Sequence, residues 1–237
     1  MNAKSTIKTI LRAAMTLTEL HKKNRPFCVL LLCVFTATTA MAQVNTELTE
    51  GDWKYMYDNT NAATLTEYIG TATSVTTPAT IAGHTVVSIG ERCFYHVRNT
   101  LESVVISSGV STIGKIAFGA CSKMTSITIP SSVNTISSLA FSECSGLTSI
   151  TIPISVTSIE QDAFYSCSGL TSIALPNGLS KIEDRTFQSC SGLTSISIPH
   201  GVESIGDQAF AECTNLASVT VPNSVTTIGN SAFQYCI

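Results

Sequence analysis

Charge is scarce in this chain. Only 12% of its 237 residues are Asp, Glu, Lys or Arg, and six of the basic ones, Lys4, Lys8, Arg12, Lys22, Lys23 and Arg25, precede Phe27. Past Ala42 there remain 7 basic against 15 acidic residues, a balance of -8. An acidic surface without a basic stripe repels phosphate backbones, which excludes nucleic acid as a partner. Long apolar runs are absent too. The longest, from Phe27 to Phe35, is about half of the roughly 20 residues that a membrane-spanning helix needs. No nucleophile elbow, zinc-protease motif or dinucleotide-binding glycine loop occurs, and Gly114-Lys115 lacks the upstream glycine of a phosphate loop. These absences argue against an enzyme, a cofactor and a membrane span.

Metal-binding patterns are equally thin. Cys93 and His96 form the one Cys-x-x-His spacing, with no second pair near them in sequence, so core packing is the expected role of Cys93. His84, His96 and His200 fall at unrelated points and are expected as surface turn residues.

The N-terminus does carry a pattern. Lys22, Lys23 and Arg25 precede the apolar run, and Ala40-Met41-Ala42 supplies small residues before Gln43, as at a secretory cleavage site. Residues 1–42 are therefore expected to be a signal peptide, and the mature protein to be secreted or held at the outer cell surface.

With 44% hydrophobic residues there is ample material for a core, and a repeat organises it. Phe118, Phe141, Phe164, Phe187, Phe210 and Phe233 recur every 23 residues, as do Cys121, Cys144, Cys167, Cys190, Cys213 and Cys236. In the same register run Leu147, Leu170, Leu193 and Leu216, then Pro130, Pro153, Pro176, Pro199 and Pro222, then Ile136, Ile159, Ile182, Ile205 and Ile228. Within one unit, Ile150-Thr151-Ile152 alternates as a half-buried strand, and Pro153, which has no backbone donor, ends it. A second extended piece reaches Ile159, and Gln161 to Ser166 is expected as a single helical or 3₁₀ turn before Gly169 leads to the next strand. Such a unit cannot bury its apolar face alone. Stacked copies place like on like in continuous columns, at roughly six apolar side chains per coil and about 1.5 to 3 kcal/mol each.

Two degraded units precede the regular ones. Leu101, Val104, Ile106, Val110 and Ile113 keep the pattern, while Val75, Pro78, Val86, Ile89 and Phe94 carry an insertion around Gly83. Before them, Trp53 to Tyr57 and Thr64 to Ile69 are strand-like and separated by Asp58-Asn59-Thr60-Asn61, which predicts a hairpin capping the first coil. The expected fold is a mainly β repeat solenoid: a right-handed stack of leucine-rich-repeat-like coils with a parallel sheet, a cap over residues 43–74 and repeats over 75–237, ending partway through a coil.

The run L-T-S-I-x-I-P followed by V-x-x-I-x-x-x-A-F-x-x-C resembles the BspA-like class of bacterial leucine-rich repeats over Val75 to Ile237, and Trp53 to Gly70 is similar to that family's N-terminal cap. The resemblance implies a curved parallel β solenoid on a bacterial surface, with adhesion to host matrix proteins or other microbes. It carries no particular ligand over. No polar capping segment follows Phe233, so the chain is expected to be a fragment of a longer protein or to associate end to end through that face.

Seven cysteines past Ala42, in an exported chain, raise the question of disulfides. Column neighbours are about 4.8 Å apart, but parallel stacking aims their side chains the same way, which favours a ladder of buried free thiols over pairing.

Positions free of packing duty are those a ligand can use. The sequence varies most just after the second extended piece, giving a ridge of Lys115, Glu160, Asp162, Glu183, Asp184, Arg185, Asp207 and Gln208. The other candidate face is the first strand, with an unbroken column of Ser126, Ser149, Ser172, Ser195 and Ser218. The function expected is a protein-binding module for an extracellular ligand. Two other classes are a targeting or spacer array of a longer surface enzyme and a structural surface-layer element.

Overall fold

A three-residue strand, a proline turn and a two-residue strand recur in each regular coil, because the apolar columns alternate with polar residues at those points. The computed structural model describes residues 46–236; the expected signal segment and Ile237 lie outside the described residues. The first strands are β4 (Ser74–Thr76), β7 (Ser103–Val105), β9 (Ser126–Thr128), β11 (Ser149–Thr151), β13 (Ser172–Ala174), β15 (Ser195–Ser197) and β17 (Ser218–Thr220). The second are β6 (His84–Ile89), β8 (Thr112–Ile113), β10 (Thr135–Ile136), β12 (Ser158–Ile159), β14 (Lys181–Ile182), β16 (Ser204–Ile205) and β18 (Thr227–Ile228). All pairing between coils is parallel and in register: Ile150 lies opposite Ile173, Ile136 opposite Ile159, Ile205 opposite Ile228. The strand expected at Ile150–Ile152 begins one residue earlier. Ile152 is still buried, at the bend into Pro153, where Val156 N–H closes a tight turn on the Pro153 carbonyl at 3.1 Å.

Ahead of the coils, β1 (Leu48–Glu50), β2 (Trp53–Tyr57) and β3 (Ala62–Tyr68) pair antiparallel, and β3 then pairs parallel with β6. The Asp58 carboxylate closes the β2–β3 turn by accepting from the Thr60 hydroxyl, Ala62 N and Thr60 N, which holds its pKa down. Trp53 and Tyr68 cover the first phenylalanine of the stack, with ring centroids 5.8 and 5.7 Å from Phe94. The insertion around Gly83 is a hairpin of β5 (Thr80–Ile81) on β6, turned by Ala82 and Gly83, both at positive φ as a type I′ turn requires.

The segment from residue 161 to 166 is not helical, contrary to the sequence expectation. In each regular coil it is a chain of turns that doubles as a third ladder. Asp162, Phe164 and Ser166 donate their N–H groups across to Asp184, Thr186 and Gln188 of the next coil at 3.1, 2.9 and 2.8 Å, while Ala163, Tyr165 and Cys167 bond three residues back within their own coil. This alternation needs left-handed backbone at two points per coil, Asp162 and Ser166 here, and non-glycine residues sit there throughout, from Leu139 and Glu143 to Gln208 and Glu212. Each such residue costs on the order of 1–3 kcal/mol, offset by the inter-coil hydrogen bonds that the conformation makes available. Hydrophobic periodicity carries no sign of this, since a helical turn and a turn ladder place Ala163 and Phe164 inward alike.

One coil's interior holds Leu147, Ile150, Ile152, Val156, Ile159, Ala163, Phe164 and Cys167, all buried. The phenylalanines stack nearly parallel, with centroids 5.3 to 5.5 Å apart from Phe118 to Phe233. Among the described residues the cysteines are free thiols. Each of Cys144, Cys167, Cys190 and Cys213 also donates its S–H to the carbonyl of the phenylalanine in the preceding coil at 3.0 to 3.1 Å, so the column is more than filler.

Burial pushes the Cys121 thiol up to about 12. A folded pKa above the unfolded value near 9 means that Cys121 contributes stability fully below pH 9 and loses it as pH rises toward 12. Denaturant melts from pH 8 to 11 are therefore expected to show a steeper alkaline loss of stability in the wild type than in Cys121→Ala. Equal slopes would mean that the thiol is not desolvated.

Candidate ligand-binding surfaces

The ridge residues lie at the entry to the turn ladder, one coil above another. Asp162 and Arg185 occupy the same left-handed position in successive coils and form a two-pronged ion pair, Nε to Oδ1 at 2.8 Å and Nη2 to Oδ2 at 2.9 Å. Gln161 donates to the same Asp162 carboxylate. Lys181 pairs with Glu183 at 2.6 Å, and the hydrogen bond to that carboxylate holds the Lys181 pKa up. Glu160 accepts the Ser138 backbone N–H at 2.8 Å, Asp184 accepts Asp207 N–H at 2.8 Å, and Asp207 accepts Asn230 N–H at 2.6 Å. These carboxylates satisfy amides at the ridge that the ladder leaves without a backbone acceptor.

The structure thus brings the acidic ridge residues together and gives most of them internal partners. Lys115 and Asp207 are exposed, whereas Glu160, Asp162, Glu183, Asp184, Arg185 and Gln208 are half-buried. The carboxylate-to-amide links were not read from the sequence. Their one trace there is that Asp184 and Asp207 stand exactly 23 positions apart, in a column where other coils have Lys115, Ser138 and Gln161.

The strand face is different in kind. Ser126, Ser149, Ser172, Ser195 and Ser218 are all exposed, and among the described residues none of their hydroxyls has a hydrogen-bond partner within the protein. Beside them Thr148, Thr171 and Thr194 are exposed, and the latter two bond back to the carbonyl of the preceding threonine at 3.1 and 3.5 Å. Thr128, Thr151, Ser197 and Thr220 complete an uncharged strip, interrupted by Ala174. Side chains that the fold does not consume are available to a partner.

The histidines divide. His84 is not a turn residue: it lies in β6, stacks on Tyr57 with ring centroids 3.7 Å apart and meets Asn61 Oδ1 at 2.5 Å. His96 reaches Glu67 at 2.8 Å from η1 (Tyr95–Val97), a 3₁₀ turn, while Cys93 is buried in the core. Among the described residues no helix is long and apolar enough to cross a membrane.

A stack of 23-residue parallel coils with unconsumed outer side chains defines a leucine-rich-repeat solenoid, a fold whose working part is its outer surface. The model of the BspA type leucine-rich repeat region matches residues 71–190 and 117–237, and the chain belongs to that family. Among solved structures, a leucine-rich repeat protein of Treponema pallidum is 32% identical, with a TM-score of 0.72 over 78% of this chain and 86% of that one. A leucine-rich cell surface protein of Faecalibacterium prausnitzii is 26% identical, with a TM-score of 0.62 over 82% and 75%. A leucine-rich repeat protein of Bacteroides ovatus is 29% identical, with a TM-score of 0.59 over 77% of this chain and 55% of that one. No curated protein matches. Leucine-rich repeats of this type are protein-interaction modules.

If the ridge carboxylates serve the backbone, Asp184→Ala is expected to cost about 1–2 kcal/mol by leaving the Asp207 amide without its acceptor. Urea unfolding measures this. A change within about 0.5 kcal/mol, usual for a surface substitution, would show that water replaces the carboxylate freely.

Proposed function

We propose that this protein is displayed at, or released from, a bacterial cell surface, where it binds an extracellular protein through the outside of its solenoid, without a cofactor and without chemistry. Export is supported by the signal pattern ending at Ala42, and surface display by the F. prausnitzii relative, which is itself described as a cell surface protein. The observation that carries the reading is the division of labour within each coil: the interior repeats almost without change, while outward positions differ or stay unpaired.

The ligand is a host matrix protein or a protein on another microbe, an adhesin role. The ridge of Lys115, Glu160, Asp162, Glu183, Asp184, Arg185, Asp207 and Gln208 is the proposed contact surface, with exposed Lys115 and Asp207 as its accessible members. A second reading places the ligand on the strand face, favoured by the five unpartnered serine hydroxyls. Extended faces of either kind bind through many weak contacts rather than one pocket, so affinity concentrates where a few side chains are desolvated together.

Residues 43–237 tested against immobilised fibronectin, fibrinogen and other matrix proteins, with an unrelated solenoid of similar charge as control, are expected to bind one of them saturably. Lys115→Glu is expected to weaken that binding about tenfold or more, near 1.4 kcal/mol, without lowering the melting temperature. Loss instead in Ser149→Arg with Ser172→Arg would move the site to the strand face. Binding no better than the control across the panel would contradict the adhesin role and favour a spacer or surface-layer function.

A further inference from the structure

Each regular coil turns at a Pro-x-x-aliphatic corner between its two strands. In three coils the residue after the variable position is a serine whose hydroxyl ties the corner to the coil before it: Ser132 to the Val110 carbonyl at 2.7 Å, Ser155 to Val133 at 2.7 Å and Ser224 to Val202 at 2.8 Å. At Pro176-Asn177-Gly178-Leu179 that tie is missing, because Gly178 stands where the serine would be, as Gly201 does in the next coil. The closing bond of this corner, Leu179 N–H to Pro176 O at 3.4 Å, is longer than its counterparts at Val133, Val156, Val202 and Val225, which measure 3.1 to 3.2 Å. The seam it sits on is also open: β12 and β14 are the one pair of successive second strands that does not pair, and the first strands β13 and β15 beside the corner do not pair either. Asn177 and Gly178 are both exposed, and the Gly178 N–H has no acceptor among the described residues.

Asn177-Gly178 is the one Asn-Gly step in the sequence. Glycine offers no Cβ to hinder approach to its own nitrogen, and a free N–H in a loosely closed turn is what an intramolecular attack requires.

We propose that Asn177 is a covalent modification site at which the protein converts itself: the unbonded Gly178 amide closes on the Asn177 side chain in the untied corner over the β12–β14 seam. The Gly178 nitrogen forms a bond to Asn177 Cγ, the Cγ–Nδ2 bond breaks, and the amide proton leaves with the nitrogen as ammonia. Water then opens the five-membered imide at either carbonyl, giving aspartate or isoaspartate. No oxidation or reduction takes place and no enzyme is needed. Either product adds a negative charge to the corner, and isoaspartate adds one carbon to the main chain between β13 and β14.

The molecule contains its own comparator. Asn223-Ser224 occupies the equivalent corner with the serine tie in place. The purified protein, incubated in neutral buffer and followed by peptide mapping with isoaspartyl methyltransferase labelling, is expected to convert Asn177 at least about tenfold faster than Asn223, and Gly178→Ser is expected to slow Asn177 by a similar factor. A Cβ at Gly178 would lie 3.3 Å from Thr157 Cγ2 and 3.4 Å from the Val156 carbonyl, so the serine places its hydroxyl near the acceptor that its counterparts use. Conversion of Asn177 no faster than Asn223 in the unaltered protein, a comparison that needs no variant, overturns the proposal. So does an Asn177 rate unchanged by Gly178→Ser in a variant with the same melting temperature.

Discussion

Every coil must return to the register of the one before it, because its strand and turn amides find their acceptors only at matching positions of a neighbour. That constraint fixes the period at 23 and decides where departures are tolerated. The insertion around Gly83 leaves the stack as the β5–β6 hairpin and comes back before Ile89 pairs with Ile113. The coil beginning at Phe94 has one residue more before Leu101 than the coil at Phe118 has before Met124, and η1 absorbs it. Both departures lie where the chain bends, and both leave the strand columns intact.

Given the register, the interior assembles from repetition. Phenylalanine stacks on phenylalanine, the thiols from Cys144 to Cys236 each find a carbonyl one coil away, and alternate amides of the turn segment cross to the next coil. Each term is small and nearest-neighbour, so stability accumulates along the array. The same economy frees the outside. The serine hydroxyls of the strand face, from Ser126 to Ser218, have no partner within the described fold, whereas the ridge carboxylates divide between capping stray amides and facing solvent. A binding surface on such a scaffold is set by outward residues that can change without cost to the stack.

The sequence discloses the columns well. Phe118 to Phe233 and the proline series locate the coils, the first strands fall within a residue of expectation, and Trp53 to Tyr57 with Asp58 to Asn61 announces the cap. What it hides follows from physical degeneracy. A run such as Gln161-Asp162-Ala163-Phe164-Tyr165-Ser166 has the same inward residues whether it coils or forms serial turns, and its left-handed positions carry Asp, Ser, Leu, Glu, Arg and Gln rather than the glycine that would signal them. The acidic ridge reads in sequence as a solvent-facing charge pattern, because a carboxylate bound to an amide in the next coil looks the same as a free one. His84 escapes the repeat pattern because an insertion shifts it out of register and into β6.

The turn ladder is the feature on which this account of the fold turns, and amide hydrogen exchange measures it residue by residue. Native-state exchange is predicted to show Phe141, Phe164, Phe187 and Phe210 amides protected as strongly as the amides that pair β11 with β13 and β15 with β17, since each crosses to the next coil at 2.8 to 2.9 Å. Exchange of those phenylalanine amides at the rates of open loops, with the strands still protected, would show that the segment is an ordinary connection and that two ladders rather than three hold the coils together.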